Sequence, residues 1–134
     1  MATGKSRYGQ RLQGMKELGS LSLAWLAGLL EGEGSFQTYS RVTKHVKKDG
    51  TLGVYRSSYP RIQVQMTDKD VVEKVAALFN RACCGPYKRE GAKDVYAAQV
   101  NGKDALALMQ QLLPLMGKRR SLKMREVIDA YTKK

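Results

Sequence analysis

The stretch Leu26-Ala-Gly-Leu-Leu-Glu-Gly-Glu-Gly34 marks the junction between a helix and a strand. From Leu21 to Leu30, apolar residues fall on nearly every side of a helix, which outside a membrane indicates a helix surrounded by other structure. Glycines at Gly32 and Gly34 end this helix, and Phe36 to His45 alternates with the period of a strand. We therefore predict a buried helix that leads directly into a sheet.

Further along the chain, the apolar pattern predicts a second strand, a second hairpin and three more helices. Lys47 to Gly50 supplies turn residues, so the strands on either side of it should form a hairpin. Pro114 is expected to bend or shorten the helix that contains it. The predicted elements after this turn are a strand over Val54–Met66, a helix starting at Thr67–Asp70 and reaching Phe79, strands over Gly85–Arg89 and Val95–Asn101, and helices over Asp104–Met116 and Met124–Tyr131.

The order of these elements predicts an α+β domain with a four-stranded antiparallel sheet. In the second strand, the apolar residues Ile62, Val64 and Met66 alternate with polar ones, so we expect helices on one face of the sheet and a free second face. The domain should span residues 21–134, after a basic, flexible N-terminal tail over residues 1–20. The sequence contains no internal repeat, so any two-fold symmetry requires a second chain.

The charge balance indicates a polyanionic partner. The 134 residues include 24 Lys or Arg against 12 Asp or Glu, and the net charge of +12 favours nucleic acid. No run approaches the roughly eighteen apolar residues of a spanning helix, and Met1–Gly19 lacks the apolar core of a secretory signal, so we expect an intracellular protein. The adjacent Cys83 and Cys84 are interpreted as small buried hydrophobic residues at the start of a strand. The basic tail residues expected to add non-specific affinity are Lys5, Arg7, Arg11 and Lys16.

Two features of the first helix suggest chemistry at its C-terminal end. Ala24, Gly28 and Gly32 form a ridge of small residues, which suits either a second copy of the same helix or ordinary packing within the chain. Glu33 follows at the helix end, where the macrodipole disfavours a carboxylate and a bound cation would offset it. Glu31 and Glu33 could equally be exposed helix-end charges. If the helix pairs with its own copy, two Glu33 carboxylates meet at the two-fold axis, and their hard oxygen atoms favour Mg²⁺.

The segment Leu26–Gly34, with Ser35-Phe36 after it, closely resembles the LAGLIDADG signature of homing endonucleases. Three glycines, two acids and an apolar lead-in make the motif specific, and the later elements follow the family's order to about residue 131. The resemblance implies an αββαββα core, a saddle-shaped sheet on double-stranded DNA, and a homodimer whose interface is formed by the motif helices at Ala24, Gly28 and Gly32. It further implies a Mg²⁺-dependent endonuclease that makes staggered double-strand breaks in a long pseudo-palindromic target, in the service of intron or intein mobility.

The same resemblance assigns the candidate catalytic residues. Glu33 would bind metal together with the backbone carbonyl of Gly32; it replaces the motif's Asp and reaches one methylene further. Asp68 falls where the family has a polar residue after the second strand, although it could equally be the N-cap of the next helix. Arg119 falls where the family more often has Lys, with Lys118 as the alternative, and both could instead contact phosphate without a part in catalysis.

The free face of the predicted sheet carries side chains suited to DNA. A two-stranded ribbon fits the major groove, where Arg can bond guanine and Gln can bond adenine. The alternative is a face that is merely solvated. The predicted DNA-contacting residues are Ser35, Gln37, Tyr39, Arg41 and Thr43 on the first strand, Arg61, Gln63 and Gln65 on the second, and Lys88 on the second hairpin.

Two other function classes remain open at this point. One is a non-cleaving nucleic-acid binder on the same fold, such as an intron RNA maturase or a transcriptional regulator. The retained acid at Glu33 favours the enzyme, whereas Arg in place of Lys at position 119 leans toward the binder. The other class, a general basic chaperone or nucleoid protein, would show neither Mg²⁺ dependence nor sequence preference.

Overall fold

The elements follow one another along the chain with short connections. The computed structural model of the protein describes residues 18–132, so most of the predicted basic tail lies outside the described residues. The elements are α1 (Ser20–Glu33), β1 (Gly34–Val46), β2 (Leu52–Met66), α2 (Lys69–Phe79), β3 (Cys84–Tyr87), β4 (Val95–Asn101), α3 (Gly102–Leu112), a 3-10 turn (Leu113–Leu115) and α4 (Lys118–Thr132).

The four strands form one antiparallel sheet in the order β1-β2-β4-β3. The β1–β2 hairpin is long: its pairing runs without interruption from Gly34 opposite Val64 to Val46 opposite Leu52. At the hairpin tip, Gly50 has φ +88°, and the Asp49 carboxylate accepts hydrogen bonds from the side chain and the backbone of Thr51, which hold the pKa of Asp49 below its ordinary value. The predicted fold class, α+β with a four-stranded antiparallel sheet, is confirmed.

The hydrophobic core lies between one face of the sheet and the helices. The sheet contributes alternate residues to the core, as the sequence pattern predicts. Ile62 and Val64 are both fully buried. Every helix adds buried apolar residues at helical spacing. The core residues contributed by the helices are Leu26, Ala27 and Leu30; Val72, Val75, Ala76 and Phe79; Ala105, Leu108, Met109 and Leu112; and Met124 and Val127.

Pro114 lies as expected, whereas the two cysteines are only partly buried. The helix that was predicted to reach Met116 ends at Leu112 and continues as the 3-10 turn around Pro114. Cys84 opens β3, and Cys83 packs against the core, where desolvation raises the pKa of its thiol. The expectation that both cysteines are buried is wrong: they lie at the start of β3, an edge strand of the sheet, and stay partly exposed.

One expectation for α1 is wrong. The helix is covered on one side only: Leu26, Ala27 and Leu30 are buried, whereas Leu21 is 88% exposed and Ala24, Gly28 and Gly32 are exposed as well. Apart from adjacent residues and the backbone of α1 itself, no described atom lies within 4 Å of where a Cβ would stand on Gly28 or Gly32. Because this apolar side of the helix faces outward, the small-residue ridge is not used for packing within residues 18–132.

The start of β1 approaches the last turn of α1 closely at Gly34. A Cβ on this residue would lie 2.7 to 2.9 Å from the side chain and the carbonyl oxygen of Leu30. The backbone oxygen of Leu30 cannot move aside as a flexible side chain could, so only glycine fits here. The glycine lets the chain turn from helix to strand immediately after Glu33.

We expect Gly34→Ala to destabilise the fold by about 1–3 kcal/mol, the usual cost of forcing an extra methyl group into a packed site. The matched control is Gly19→Ala, because Gly19 also has open space around it and lies outside the small-residue ridge of α1. Thermal unfolding followed by circular dichroism should show a clear fall in Tm for Gly34→Ala alone. Equal Tm values for the two variants would contradict the close approach at Gly34.

Candidate functional site

The C-terminal end of α1 presents a free carboxylate. Glu33 is the last residue of the helix and is exposed, and within residues 18–132 its side chain forms no ion pair. No basic residue stands in the last turn of α1 to balance it. A carboxylate at the negative end of a helix dipole is unfavourable on its own, so the position suits a bound cation.

The other acid of the segment has a different, structural contact. One carboxylate oxygen of Glu31 accepts the backbone N–H of Gly117 at 2.7 Å, just before α4 begins. Arg120 further links α4 to the end of α1 and the start of β1. Its guanidinium donates to the carbonyls of Glu31 at 3.1 Å and Gly34 at 2.6 Å. These contacts satisfy carbonyls at the helix end that have no partner within the helix. Of the two acids, Glu33 is therefore the one available to an external ligand.

Arg120 was not singled out from the sequence. It is half-buried and bonds the end of α1, whereas the neighbouring Lys118 and Arg119 are exposed. No sequence signal distinguishes it from its neighbours, because its partners lie 86 and 89 positions away along the chain. Its bonds to Glu31 and Gly34 tie the start of α4 to residues on either side of Glu33 in the sequence.

The two predicted basic residues, Lys118 and Arg119, lie in the first turn of α4 and are both exposed. They stand between Gly117 and Arg120, which contact the residues flanking Glu33. The basic turn is thus joined by its flanking residues to the segment that contains Glu33. Within residues 18–132 neither residue forms a salt bridge, so their charges are free for an anion.

Asp68 lies two residues beyond the end of β2, at the same end of the sheet as Glu33, since Gly34 pairs with Val64. It occupies the N-cap position of α2, but its side chain makes no capping hydrogen bond, and it is exposed. Its carboxylate is therefore uncommitted. Its backbone carbonyl takes the ordinary helical bond, accepting the N–H of Val72 at 3.1 Å.

The acidic groups in the described part of one chain do not form a complete metal site. No group of three or more His, Cys, Asp or Glu within residues 18–132 could hold an ion. Glu33 and the carbonyl of Gly32 are hard oxygen donors of the kind that Mg²⁺ prefers, and Mg²⁺ commonly binds to one or two carboxylates together with phosphate oxygens. This donor set fits a divalent ion only if a second chain and a phosphate complete it.

All eight residues predicted to contact DNA from the first hairpin point away from the core. On β1, Phe36 is buried while its neighbours Ser35 and Gln37 face the other side of the sheet. The register places Ser35 opposite Gln63 and Gln37 opposite Arg61, so the two strands form a continuous polar ribbon. Gln37 links them by donating to Ser35 at 2.8 Å and to Gln63 at 3.3 Å.

The same face continues beyond the predicted residues. The register adds Tyr59 opposite Tyr39 and Asn101 opposite Arg61, and Gln99 of β4 lies beside Gln63. Tyr55 stacks on His45 near the hairpin tip, with ring centroids 4.8 Å apart. These polar-face residues were not predicted from the sequence, although strand alternation extended through β4 indicates them.

Lys88 lies one residue beyond β3 and is exposed, with its Nζ 3.1 Å from an Asp94 carboxylate oxygen. An exposed ion pair of this kind contributes little to stability, so the ammonium group could readily exchange Asp94 for a phosphate.

Three solved structures of similar architecture are homing endonucleases. The homing endonuclease I-CvuI, in complex with the I-CreI target, superimposes with a TM-score of 0.52 at 17% identity, over 81% of this chain and 64% of that one. The intron-encoded homing endonuclease I-CeuI, complexed with DNA, superimposes with a TM-score of 0.54 at 14% identity. The match covers 89% of this chain and 60% of that one. The LAGLIDADG homing endonuclease I-GzeII superimposes with a TM-score of 0.52 at 13% identity. That match covers 83% of this chain and 36% of the other.

The chain has the LAGLIDADG homing endonuclease fold. The likeness is structural, since neither a protein-family model nor a curated protein sequence matched the chain. The chain spans less than two thirds of the length of the I-CvuI structure it matches. In this LAGLIDADG fold, the segment Leu26–Gly34 forms the C-terminal part of α1 and the first residue of β1. No helix within residues 18–132 is both long enough and apolar enough to cross a membrane.

Proposed function

We propose that this protein is a site-specific DNA endonuclease that acts as a homodimer and makes staggered double-strand breaks in a long pseudo-palindromic target. The observation that carries the proposal is the free carboxylate of Glu33 at the end of an outward-facing ridge of small residues. The structures of I-CvuI and I-CeuI, which share the fold, are complexes with DNA, and this supports DNA as the substrate.

The proposed dimer forms through the ridge on α1. Ala24, Gly28 and Gly32 lie on one exposed side of the helix, where a helix from a second copy can come close to the backbone. A two-fold axis through this contact places the two Glu33 carboxylates near each other. Leu21, 88% exposed at the start of the same helix, would also be covered there.

Glu33 and the Gly32 carbonyl are the proposed ligands of Mg²⁺, completed by phosphate oxygens. The bound ion would supply Lewis-acid chemistry for phosphodiester hydrolysis. Lys118 and Arg119 would stabilise negative charge that develops on the phosphate. Asp68, with its uncommitted carboxylate at the same end of the sheet, would help to orient the attacking water.

The polar ribbon on β1 and β2 is the proposed DNA-reading surface. Its Arg and Gln side chains match the acceptor and donor patterns of base edges in the major groove. The net charge of +12 would supply phosphate attraction and a strong dependence of affinity on salt. Lys88, at the opposite edge of the sheet, is proposed to contact the DNA from the second hairpin.

Cleavage of a randomised duplex library tests this proposal. The protein is incubated with the library in Mg²⁺ or in EDTA, and the recovered ends are sequenced. We expect ends that share one pseudo-palindromic site in Mg²⁺ and no specific ends in EDTA.

The competing functions give different results in the same experiment. Enrichment of bound DNA or RNA without any cut, by a folded dimer, would favour the non-cleaving binder. Binding without sequence preference and without any effect of Mg²⁺ would favour a general nucleic-acid chaperone.

A further inference from the structure

Arg61 occupies the centre of the polar face. It lies on β2 between Gln37 of β1 and Asn101 of β4, which are its register partners on the two sides. Its side chain is half-buried, unlike the exposed Arg41 on the same face. Arg61 is thus placed where the middle of a groove-bound ribbon would meet the base edges.

Two neighbours hold the Arg61 side chain in one orientation. Its Nε donates a hydrogen bond to the Asn101 Oδ1 at 2.7 Å. The guanidinium carbon lies 3.7 Å from the centre of the Tyr39 ring, within the range of a cation–π contact. Tyr39 is supported in turn by Tyr59, with ring centroids 5.2 Å apart.

The contacts leave the outer end of the guanidinium free. Only Nε is engaged, and neither terminal amino group donates to a residue within 18–132. The salt bridges of the described residues are Arg81 with Asp104 and Lys88 with Asp94, so no carboxylate neutralises Arg61. A positively charged fork with parallel free donors requires a partner with two adjacent acceptors.

We propose that Arg61 reads one guanine in each half of the DNA target, and that Asn101 and Tyr39 are positioning residues for it. This inference rests on the proposed DNA-reading role of the same sheet face. Guanine presents two acceptors, O6 and N7, to the major groove, which match the two terminal amino groups. Adenine offers a donor beside N7, and cytosine offers a donor, so both would oppose a group that only donates.

Asn101 contributes by restricting the side chain before DNA arrives. A free Arg loses much rotamer freedom when it docks, and a side chain already held by its Nε and by an aromatic ring loses less. Asn101 also holds the N-cap position of α3, but its side chain makes no capping hydrogen bond. Removing that side chain should therefore disturb Arg61 and leave the fold intact.

The test is a binding selection from a randomised duplex library with the full-length protein in Ca²⁺, so that the readout does not depend on cleavage. We expect the wild type to select guanine at one position of each half-site by about 5- to 150-fold. Arg61→Ala should lose the preference at that position alone. Asn101→Ala should weaken it by about 2- to 12-fold with little change in Tm, and Asn101→Asp, which keeps the acceptor, should retain it.

The control variant is Gln63→Ala, which alters the neighbouring residue of the same face and should change the preference at a different position. An unchanged set of preferred bases in Arg61→Ala would overturn this inference while leaving the proposed function in place. An equal loss of base preference at every position of the half-site in Asn101→Ala would also overturn it, because that result would show a general structural role for Asn101. A wild-type pool without any sequence preference would overturn both this inference and the proposed DNA-reading face.

Discussion

Replacing Glu33 with glutamine is expected to abolish strand cleavage and to leave DNA binding nearly unchanged. Glu33 is exposed at the end of α1 and does not belong to the polar face of the sheet, so the substitution removes a metal ligand without removing a groove contact. Loss of a residue that only supports a metal ligand already lowers metal affinity or activity by about 10- to 100-fold. Loss of a direct ligand should lower activity by more than that. Cleavage rate and binding affinity are measured on the same target duplex.

Two variants control for Glu33→Gln. Glu33→Asp keeps a carboxylate, shorter by one methylene, and should retain measurable cleavage. Glu31→Gln changes the acid that accepts the Gly117 N–H, so its main effect should be a lower Tm. Cleavage by Glu33→Gln at the wild-type rate would show that Glu33 is not a metal ligand required for cleavage.

The second large effect is expected at the small-residue ridge. Gly28→Leu should break the homodimer, because each copy then places a branched side chain between two helix backbones. Overpacking costs about 1–3 kcal/mol per side chain, and a symmetric interface contains two, so dimer affinity should fall by at least about 30-fold. Gly28 is exposed, and within residues 18–132 a Cβ on it would meet no atom outside its own helix and neighbours, so we expect the monomer to fold normally.

Light scattering combined with circular dichroism measures this effect. The mass of wild type should correspond to two chains and that of Gly28→Leu to one, at equal helix content. Gly19→Leu is the matched control, since Gly19 also has open space around it but precedes α1 and lies off the ridge. A monomeric wild type that still cleaves DNA would rule out the symmetric arrangement.

Much of this fold follows from local sequence patterns. Strand alternation in Val54–Met66 specified which side of the hairpin enters the core, because side chains in a strand alternate between the two faces. The apolar spacing in α2 and α4 likewise selected the buried sides of both helices. These features depend on residues a few positions apart, so they can be predicted without tertiary information.

The features that distinguish the site depend on distant residues. Glu31 and Glu33 look alike in the sequence, and only the approach of Gly117, 86 positions later, commits Glu31 to a structural bond. The exposed side of α1 was misjudged for a related reason. In the sequence, an apolar residue on the surface of its own chain, such as Leu21, has the same pattern as one buried inside it, such as Leu26. Strand alternation could have placed Asn101 on the polar face, but not its bond to Arg61, because the two residues are 40 positions apart.

The most direct test of the account is the binding of Mn²⁺, a spectroscopic substitute for Mg²⁺, to the protein–DNA complex. Electron paramagnetic resonance is recorded for the wild type and for Glu33→Gln, both saturated with an uncleavable target duplex. The account predicts bound Mn²⁺ in the wild-type complex and its loss in the variant while the DNA stays bound. Equal Mn²⁺ binding in the two complexes would contradict the assignment of Glu33 as the residue that holds the metal ion at the DNA.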